Sequence, residues 1–195
     1  MIRAFDFFIS VLLLVIFSPV LLLLSLWIML DSKGGILFKQ DRIGANSSKF
    51  KILKFRTMRL NSESKGLLTV GSDERITDAG KFLRKYKLDE LPQLYNVLVG
   101  EMSMVGPRPE VEKYVDLYSD DQRKILMVKP GITDRASLEY FEESDILGKS
   151  ADPESTYIQE IMPRKIVLNM PYVLSPTIGS YFKTLGQTMI KILSR

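Results

Sequence analysis

The sequence predicts a helix-rich α+β fold: an apolar N-terminal membrane helix that carries one small globular domain with a short β-hairpin and amphipathic helices. Three observations predict it. Ile9–Leu30 contains no charged residue, and ~20 apolar residues suffice to cross a bilayer as a helix. Two short apolar runs flank a turn-rich stretch at Gly44–Ser48. Further along, apolar residues recur every three or four positions in several separate segments, as helix faces require.

In the membrane segment, Pro19 removes one backbone donor and its ring crowds the preceding turn, which kinks a helix. The carbonyl so freed needs a new donor in lipid, and the Ser18 hydroxyl is the local candidate. A cleaved signal peptide is disfavoured, because the apolar run is long, interrupted by Pro19, and lacks a small-x-small site near its end. Arg3 lies before the run, and Lys33, Lys39 and Arg42 lie after it. Positive residues at both ends pull both toward the cytoplasm. A straight span and a re-entrant helix, which turns at Ser18-Pro19 and returns to the same side, both remain open on these residues alone.

Ile36-Leu37-Phe38 and Phe50–Phe55 read as a β-hairpin around the Gly44–Ser48 turn. Asn61–Ser72 shows no periodicity and reads as a loop, suited to covering a site. Ile76, Ala79, Phe82, Leu83 and Tyr86 mark a helix with Thr77 or Asp78 as cap. Leu91, Leu94, Tyr95 and Leu98 mark another, with Asp89 as candidate N-cap and Pro92 in its first turn. Met104–Pro109 cannot be helical, and Lys129-Pro130-Gly131 reads as a turn. Asp152-Pro153 opens a helix that carries Tyr157, Ile158 and Ile161 and is expected to stop at Pro163. Ile178, Tyr181, Phe182, Leu185, Met189 and Ile192 form one face of a C-terminal helix, with Lys183, Lys191 and Arg195 outside that face. Such a helix either packs on the domain or lies in the membrane interface, and the abundance of surface helices favours packing.

Composition narrows the chemistry. The 195 residues include no His and no Cys, so catalysis must use carboxylates, cations, hydroxyls or a bound metal. The chain is 46% hydrophobic and 26% charged, values typical of a globular protein. Residues 1–30 hold one base, Arg3, and one acid, Asp6, so the whole net charge of +4 belongs to the remainder. That balance suits an anionic leaflet or phosphate-bearing substrates. A nucleic-acid binder would need a basic stripe with interleaved aromatics, whereas bases and acids here are interspersed.

The adjacent carboxylates Asp89-Glu90 are the strongest chemical signal. An Asp before an apolar-periodic run is more often a plain helix cap than a nucleophile. The surrounding cations raise the functional reading. Arg84 lies just upstream, Arg108 is clamped between two prolines, and Lys54 and Arg56 would share one strand face opposite Phe55. Cations from three segments suit a diphosphate. Paired carboxylates with phosphates would also hold Mg²⁺ through oxygen ligands.

Several stretches, taken together, closely resemble the bacterial sugar transferase family, the small monotopic polyprenyl-phosphate phosphoglycosyl transferases. They are Lys54–Met58, Asp73 with Arg75–Thr77, Phe82–Arg84, Leu88–Leu94, Asn96–Leu98 and Met102–Pro109. Gln40, Arg42 and Gly44, and Lys129–Thr133, also match. The resemblance runs in order from Ser18-Pro19 to the C-terminal helix, and the joint match is specific where its parts are not.

The resemblance implies that residues 1–33 form a re-entrant helix-break-helix with its break at Ser18-Pro19, and that residues 34–195 form a cytoplasmic catalytic domain with interfacial amphipathic helices. It implies Asp89 as nucleophile, Glu90 as its Mg²⁺-associated partner, and Lys54, Arg56, Arg84 and Arg108 as substrate-contacting cations. The implied reaction moves a sugar-1-phosphate from a nucleotide sugar, a UDP-sugar by expectation, to polyprenyl phosphate at the cytoplasmic face of the inner membrane. After Pro130-Gly131-Ile132-Thr133, many members continue with Gly and an Ala-Gln-Val-Asn-Gly run. This chain has Asp134-Arg135-Ala136-Ser137-Leu138-Glu139 instead, so sugar preference does not carry over through this loop. The rival reading is a membrane-tethered adaptor that only binds anionic lipid, which leaves the segment-by-segment match unexplained.

Overall fold

The structure, a computed structural model, describes residues 1–60, 62, 66–71 and 73–194. Parts of the expected 61–72 loop, together with Arg195, lie outside the described residues. The fold is helix-rich α+β with a long apolar N-terminal helix, as expected.

Helix α1 spans Ile2–Asp31 with Pro19 inside it. Helical backbone continues through Ser18-Pro19, where the sequence led us to expect a break between two helices. The reason lies in the local hydrogen bonding. Pro19 cannot donate to Val15, and the Ser18 hydroxyl donates to that carbonyl instead, at 2.8 Å. The orphan acceptor is satisfied and the turn survives.

Strands β1 (Leu37–Ile43) and β2 (Lys49–Phe55) form the antiparallel hairpin, with Leu37 opposite Phe55 and Ile43 opposite Lys49. Helix α2 (Asp78–Lys85) follows, capped by the Thr77 hydroxyl accepting from the Gly80 amide. A single 3₁₀ turn at Leu88–Glu90 precedes α3 (Gln93–Val99), whose N-cap is Pro92. Asp89 is thus not the cap that the sequence pattern predicts; it lies a turn earlier. Asn96 fastens α3 to the hairpin, accepting from the Leu53 amide at 3.0 Å and donating to the Lys51 carbonyl at 2.9 Å.

Strand β3 (Ser103–Val105) leads through short helices α4 (Glu112–Val115) and α5 (Asp120–Arg123) to β4 (Gly131–Thr133). β3 and β4 pair in parallel, Ser103 with Gly131 and Val105 with Thr133, so Gly131 belongs to a strand and not to a turn. Two glycines permit the contact. A Cβ on Gly131 would meet the Gly106 amide nitrogen at 2.1 Å, and one on Gly106 would meet the Lys129 carbonyl at 2.3 Å.

Helices α6 (Arg135–Glu139), α7 (Glu143–Gly148) and α8 (Pro153–Thr156) follow β4. A π-helical turn at Tyr157–Ile161 then joins α8 to α9 (Met162–Leu174). Pro163 does not end the helix as expected. It falls in the first turn of α9, where no intrahelical donor is required. Helix α10 (Ile178–Leu193) begins with a Thr177–Ser180 capping box. It buries Tyr181 in the domain while Met189, Ile190 and Leu193 stay exposed, so only part of the expected apolar face is packed.

The packing of α1 determines where the domain can lie. Its first half seals one core, with Ile2, Ile9, Leu13 and Leu14 against Phe50, Leu94, Met104 and Tyr181. Its second half seals another, with Leu21, Leu24 and Ile28 against Phe55 and Leu83. Between these sets, Val15, Ile16, Ser18, Pro19 and Val20 are exposed. Polar contacts pin both ends. Asp6 is buried, and its Oδ1 accepts from the Ser103 hydroxyl, the Met104 amide and the Tyr181 hydroxyl, each at 2.9 Å. Arg3 donates to the carbonyls of Val97 and Leu98, and Arg56 donates to those of Ser32 and Lys33.

Candidate active site

The 3₁₀ turn owes its aim to Lys87, whose φ of 56° and ψ of 21° are left-handed. A long side chain in that region costs about 1–3 kcal/mol and persists only where the surroundings fix it. Here it ends the α2 segment abruptly and turns Asp89 and Glu90 into the domain. Asp89 is 8% exposed.

Glu90 collects two of the expected cations. Its Oε1 accepts from Lys54 Nζ at 3.1 Å and from an Arg108 terminal nitrogen at 2.6 Å. Burial alone would raise the Glu90 carboxyl, but Arg108 and Lys54 outweigh it and hold Glu90 well below the usual carboxylate range. Arg108 is raised in turn, chiefly by Glu90. Burial pulls Lys54 down to about 8, only partly opposed by Glu90. Asp89 behaves differently. Burial and the charge on Glu90 push its carboxyl up, against Lys54, Arg84 and Lys87. Its Oδ1 is buried without a hydrogen-bond partner. Such an orphan is uncommon in a folded protein and leaves that oxygen open to a ligand, an ion or chemistry.

Arg84 reaches the site from α2. Its Nε donates to the Thr57 hydroxyl at 2.8 Å and a terminal nitrogen to the Thr69 hydroxyl at 3.0 Å. Burial lowers the Arg84 guanidinium, and Asp89 is the largest charge opposing that shift. Arg108 is set by its backbone as well as by its prolines. Its amide donates to Asp134 Oδ2 at 2.7 Å, and Arg42 donates to the Pro109 carbonyl at 2.9 Å. Asp134, at the start of the divergent loop, thus anchors the Pro-Arg-Pro segment.

The structure separates Arg56 from this group. Its two terminal nitrogens donate to backbone carbonyls at the end of α1. β2 ends at Phe55, so the face shared with Lys54 is not maintained. Thr69, which sequence reasoning did not single out, and Thr57 and Arg75, which it noted only within the family match, also serve the site. Thr57 and Thr69 orient Arg84, and Arg75 organises the loop bearing Thr69 by donating to the carbonyls of Ser62, Gly66 and Leu68. The Asp73–Arg75 spacing was the available signal, and those two side chains pair.

Among the described residues, no group of three or more His, Cys, Asp or Glu stands together to hold a metal. The donor set is therefore two carboxylates, one with a free buried oxygen. That set fits a small hard cation that keeps water and takes phosphate oxygens for its remaining ligands.

A family model described as bacterial sugar transferase matches residues 1–195. The UDP-glucose:undecaprenyl-phosphate glucose-1-phosphate transferase of Caulobacter vibrioides is 33% identical over 196 residues, 98% of this chain and 69% of that protein. The UDP-N-acetylgalactosamine-undecaprenyl-phosphate N-acetylgalactosaminephosphotransferase of Aeromonas hydrophila is 37% identical over 161 residues, 80% of this chain and 36% of its own. The undecaprenyl-phosphate galactose phosphotransferase of Salmonella typhimurium is 41% identical over 148 residues, 67% of this chain and 31% of its own. The chain spans about a third of the length of the latter two relatives. The three names carry three different sugars.

Proposed function

The chain belongs to the bacterial sugar transferase family, and from that premise we propose that it transfers a sugar-1-phosphate from a UDP-sugar to polyprenyl phosphate. The observation that carries this reading is the asymmetry of the buried pair: Glu90 is locked to two cations while Asp89 keeps an unpartnered oxygen. In the first step a carboxylate oxygen of Asp89 attacks the β-phosphorus. The bond from that phosphorus to the bridging oxygen breaks, and UMP departs with the electron pair. In the second step an oxygen of the lipid phosphate attacks the same phosphorus, the acyl-phosphate bond breaks, and Asp89 returns to a carboxylate. Covalent catalysis divides one hard displacement into two easier ones.

Arg108, Lys54 and Arg84 surround the pair with positive charge in place before the reaction, the arrangement that stabilises developing phosphoryl charge at least reorganisation cost. Mg²⁺ held by Asp89 and Glu90 would neutralise diphosphate charge and help the leaving phosphate depart. The test is direct. Purified protein with polyprenyl phosphate, Mg²⁺ and a panel of UDP-sugars should release UMP with at least one sugar. No release with any donor would sink the proposal.

We place the protein in a single leaflet at the cytoplasmic face of the inner membrane. Both ends of α1 hold the same domain, whereas a helix crossing ~30 Å of hydrocarbon would carry its ends to opposite sides. The exposed stretch around Ser18-Pro19, between the two packed halves, is then the part that enters lipid. The chain has no cysteine, so topology can be read cleanly. Ala4→Cys and Gly35→Cys should both resist a membrane-impermeant thiol reagent in intact cells and both react after permeabilisation. Labelling of one alone in intact cells would establish a span.

The Lys54 shift gives a pH prediction. Asp89 must be ionised, so kcat/KM rises as pH passes its raised pKa. Lys54 must be protonated to hold Glu90, so kcat/KM falls as pH passes about 8, the free-enzyme value that this ratio reports. In Lys54→Arg the falling limb should move out of range, because a guanidinium stays charged. A falling limb unmoved by that change would remove Lys54 from this role.

A further inference from the structure

Behind Arg108 lies a buried polar cluster that takes no direct part in the phosphoryl chemistry. Glu110 is its centre. Glu110 Oε1 accepts from the Tyr157 hydroxyl and lies 3.8 Å from Lys165 Nζ. Glu110 Oε2 lies 3.6 Å from an Arg42 terminal nitrogen, the same nitrogen that donates to the Pro109 carbonyl. The Glu110 carbonyl accepts from the Ile43 amide at 2.9 Å, and Lys165 donates to Glu143 at 2.9 Å. Tyr157 is buried and begins the π-helical turn. Arg108, Glu110, Tyr157 and Lys165 border one cavity of about 20 Å³, room for a single water.

We propose that Tyr157 is a positioning residue for the transfer, holding Arg108 in place through Glu110, and this rests on the role of Arg108 given above. The link from Glu110 to Arg108 is short and stiff. Pro109 alone separates them, and its ring fixes φ, so a shift at Glu110 is passed to the Arg108 backbone. Arg108 also lies near enough to feel Glu110 and Glu143, after Glu90, among the charges that raise its guanidinium. A buried cluster of ion pairs is a poor source of stability, since apolar residues of similar volume often serve as well or better. What this one supplies is a single fixed arrangement of the segment that carries Arg108. The π-helical turn points the same way, because such turns recur at functional sites, and this one delivers the Tyr157 hydroxyl to Glu110. The ring is itself fixed: its centroid lies 4.9 Å from that of Tyr114 and 5.3 Å from Lys165 Nζ. Burial and the Glu110 charge push the Tyr157 phenol well above its ordinary range, so it stays protonated and donating.

Tyr157→Phe tests the brace, because it removes one hydroxyl and keeps the packed ring. A misplaced Arg108 should lower kcat about tenfold and leave KM for the UDP-sugar unchanged, the signature of a contact made in the transition state. A double-mutant cycle shows whether the loss runs through Arg108. In an Arg108→Ala background, Tyr157→Phe should cost less than about twofold, since no guanidinium remains to be misplaced. A hydroxyl that served only the fold would cost the same in both backgrounds. That result would overturn the proposal, as would a parent-like kcat for Tyr157→Phe alone. If Tyr157→Phe fails to fold, Glu110→Gln is taken through the same cycle, with the same results expected and the same results fatal. Hydrogen exchange separates the proposal from its premise. In Tyr157→Phe the amides of residues 106–111 should exchange about tenfold faster, the scale of one lost hydrogen bond to a charged group, while those of α2 keep the parent rate. Such local opening supports the brace even where the parent transfers no sugar-phosphate, and the phosphate role of Arg108 then falls alone. Unchanged exchange at 106–111, or equal acceleration in α2, overturns the brace even where transfer is normal.

Discussion

Asp89→Asn is expected to reduce turnover to background while leaving the fold intact. The amide keeps the shape of the side chain but has no nucleophilic oxygen anion. The folded state has little to lose at this position. Oδ1 has no hydrogen-bond partner to forfeit, and burial already disfavours the charge on Asp89. A neutral amide removes that cost, while Arg84, held by Thr57 and Thr69, loses a nearby opposing charge. These two effects oppose each other, so the melting temperature should stay close to that of the parent. Intact-protein mass spectrometry after incubation with UDP-sugar and Mg²⁺, without lipid acceptor, should show a sugar-phosphate adduct on the parent alone. The adduct should discharge when polyprenyl phosphate is added. Normal turnover by Asp89→Asn, or an adduct mapped to another residue, would refute the nucleophile assignment.

The residues most legible in the sequence were those whose partners are local or whose type is rare in context. The hairpin shows in its alternation and in Gly44–Ser48, and the Ser18 hydroxyl is the nearest donor to the carbonyl that Pro19 frees. Asp89, Glu90 and Arg108 stand out through a doubled carboxylate and a proline clamp. What stayed hidden depends on distance along the chain. Arg56 bonds to carbonyls of Ile28, Ser32 and Lys33, and nothing in a Lys-x-Arg pattern indicates that the strand ends between its two cations. β3 and β4 are three residues each, too short for any periodicity, and their pairing depends on the close approach of Gly106 and Gly131. The cap expected of Asp89 failed because Lys87, not a glycine, adopts the left-handed conformation, and that choice inserts a 3₁₀ turn before α3. Asp6 is the converse case. It was visible as the one acid among the first thirty residues, but its meaning came from Ser103, Met104 and Tyr181, which only the fold brings to it.

Arg108→Ala should lower turnover by about 10²–10³, the usual consequence of removing one preorganised charge-stabilising group. Arg108 is held at three points before any substrate arrives. Pro107 and Pro109 restrict the backbone, Asp134 accepts the amide, and Glu90 fixes the terminal nitrogen at 2.6 Å. The side chain is 33% exposed, so it can turn a second nitrogen toward a phosphate without breaking the bond to Glu90. An alanine removes that donor and also leaves Glu90 with Lys54 as its remaining ion-pair partner among the described residues. The two consequences are separable. If the loss came only from a loosened Glu90, Arg108→Lys would restore most activity, since an ammonium can still pair with one carboxylate oxygen. If the guanidinium itself bridges Glu90 and the transferring phosphate, lysine should rescue poorly, because a point charge cannot serve both with a fixed fork. Single-turnover adduct formation should fall together with steady-state turnover, placing the defect in the first displacement. Turnover of Arg108→Ala within about threefold of the parent, far short of the loss typical for such a group, would mean that Arg108 only braces Glu90 and does not meet the phosphate.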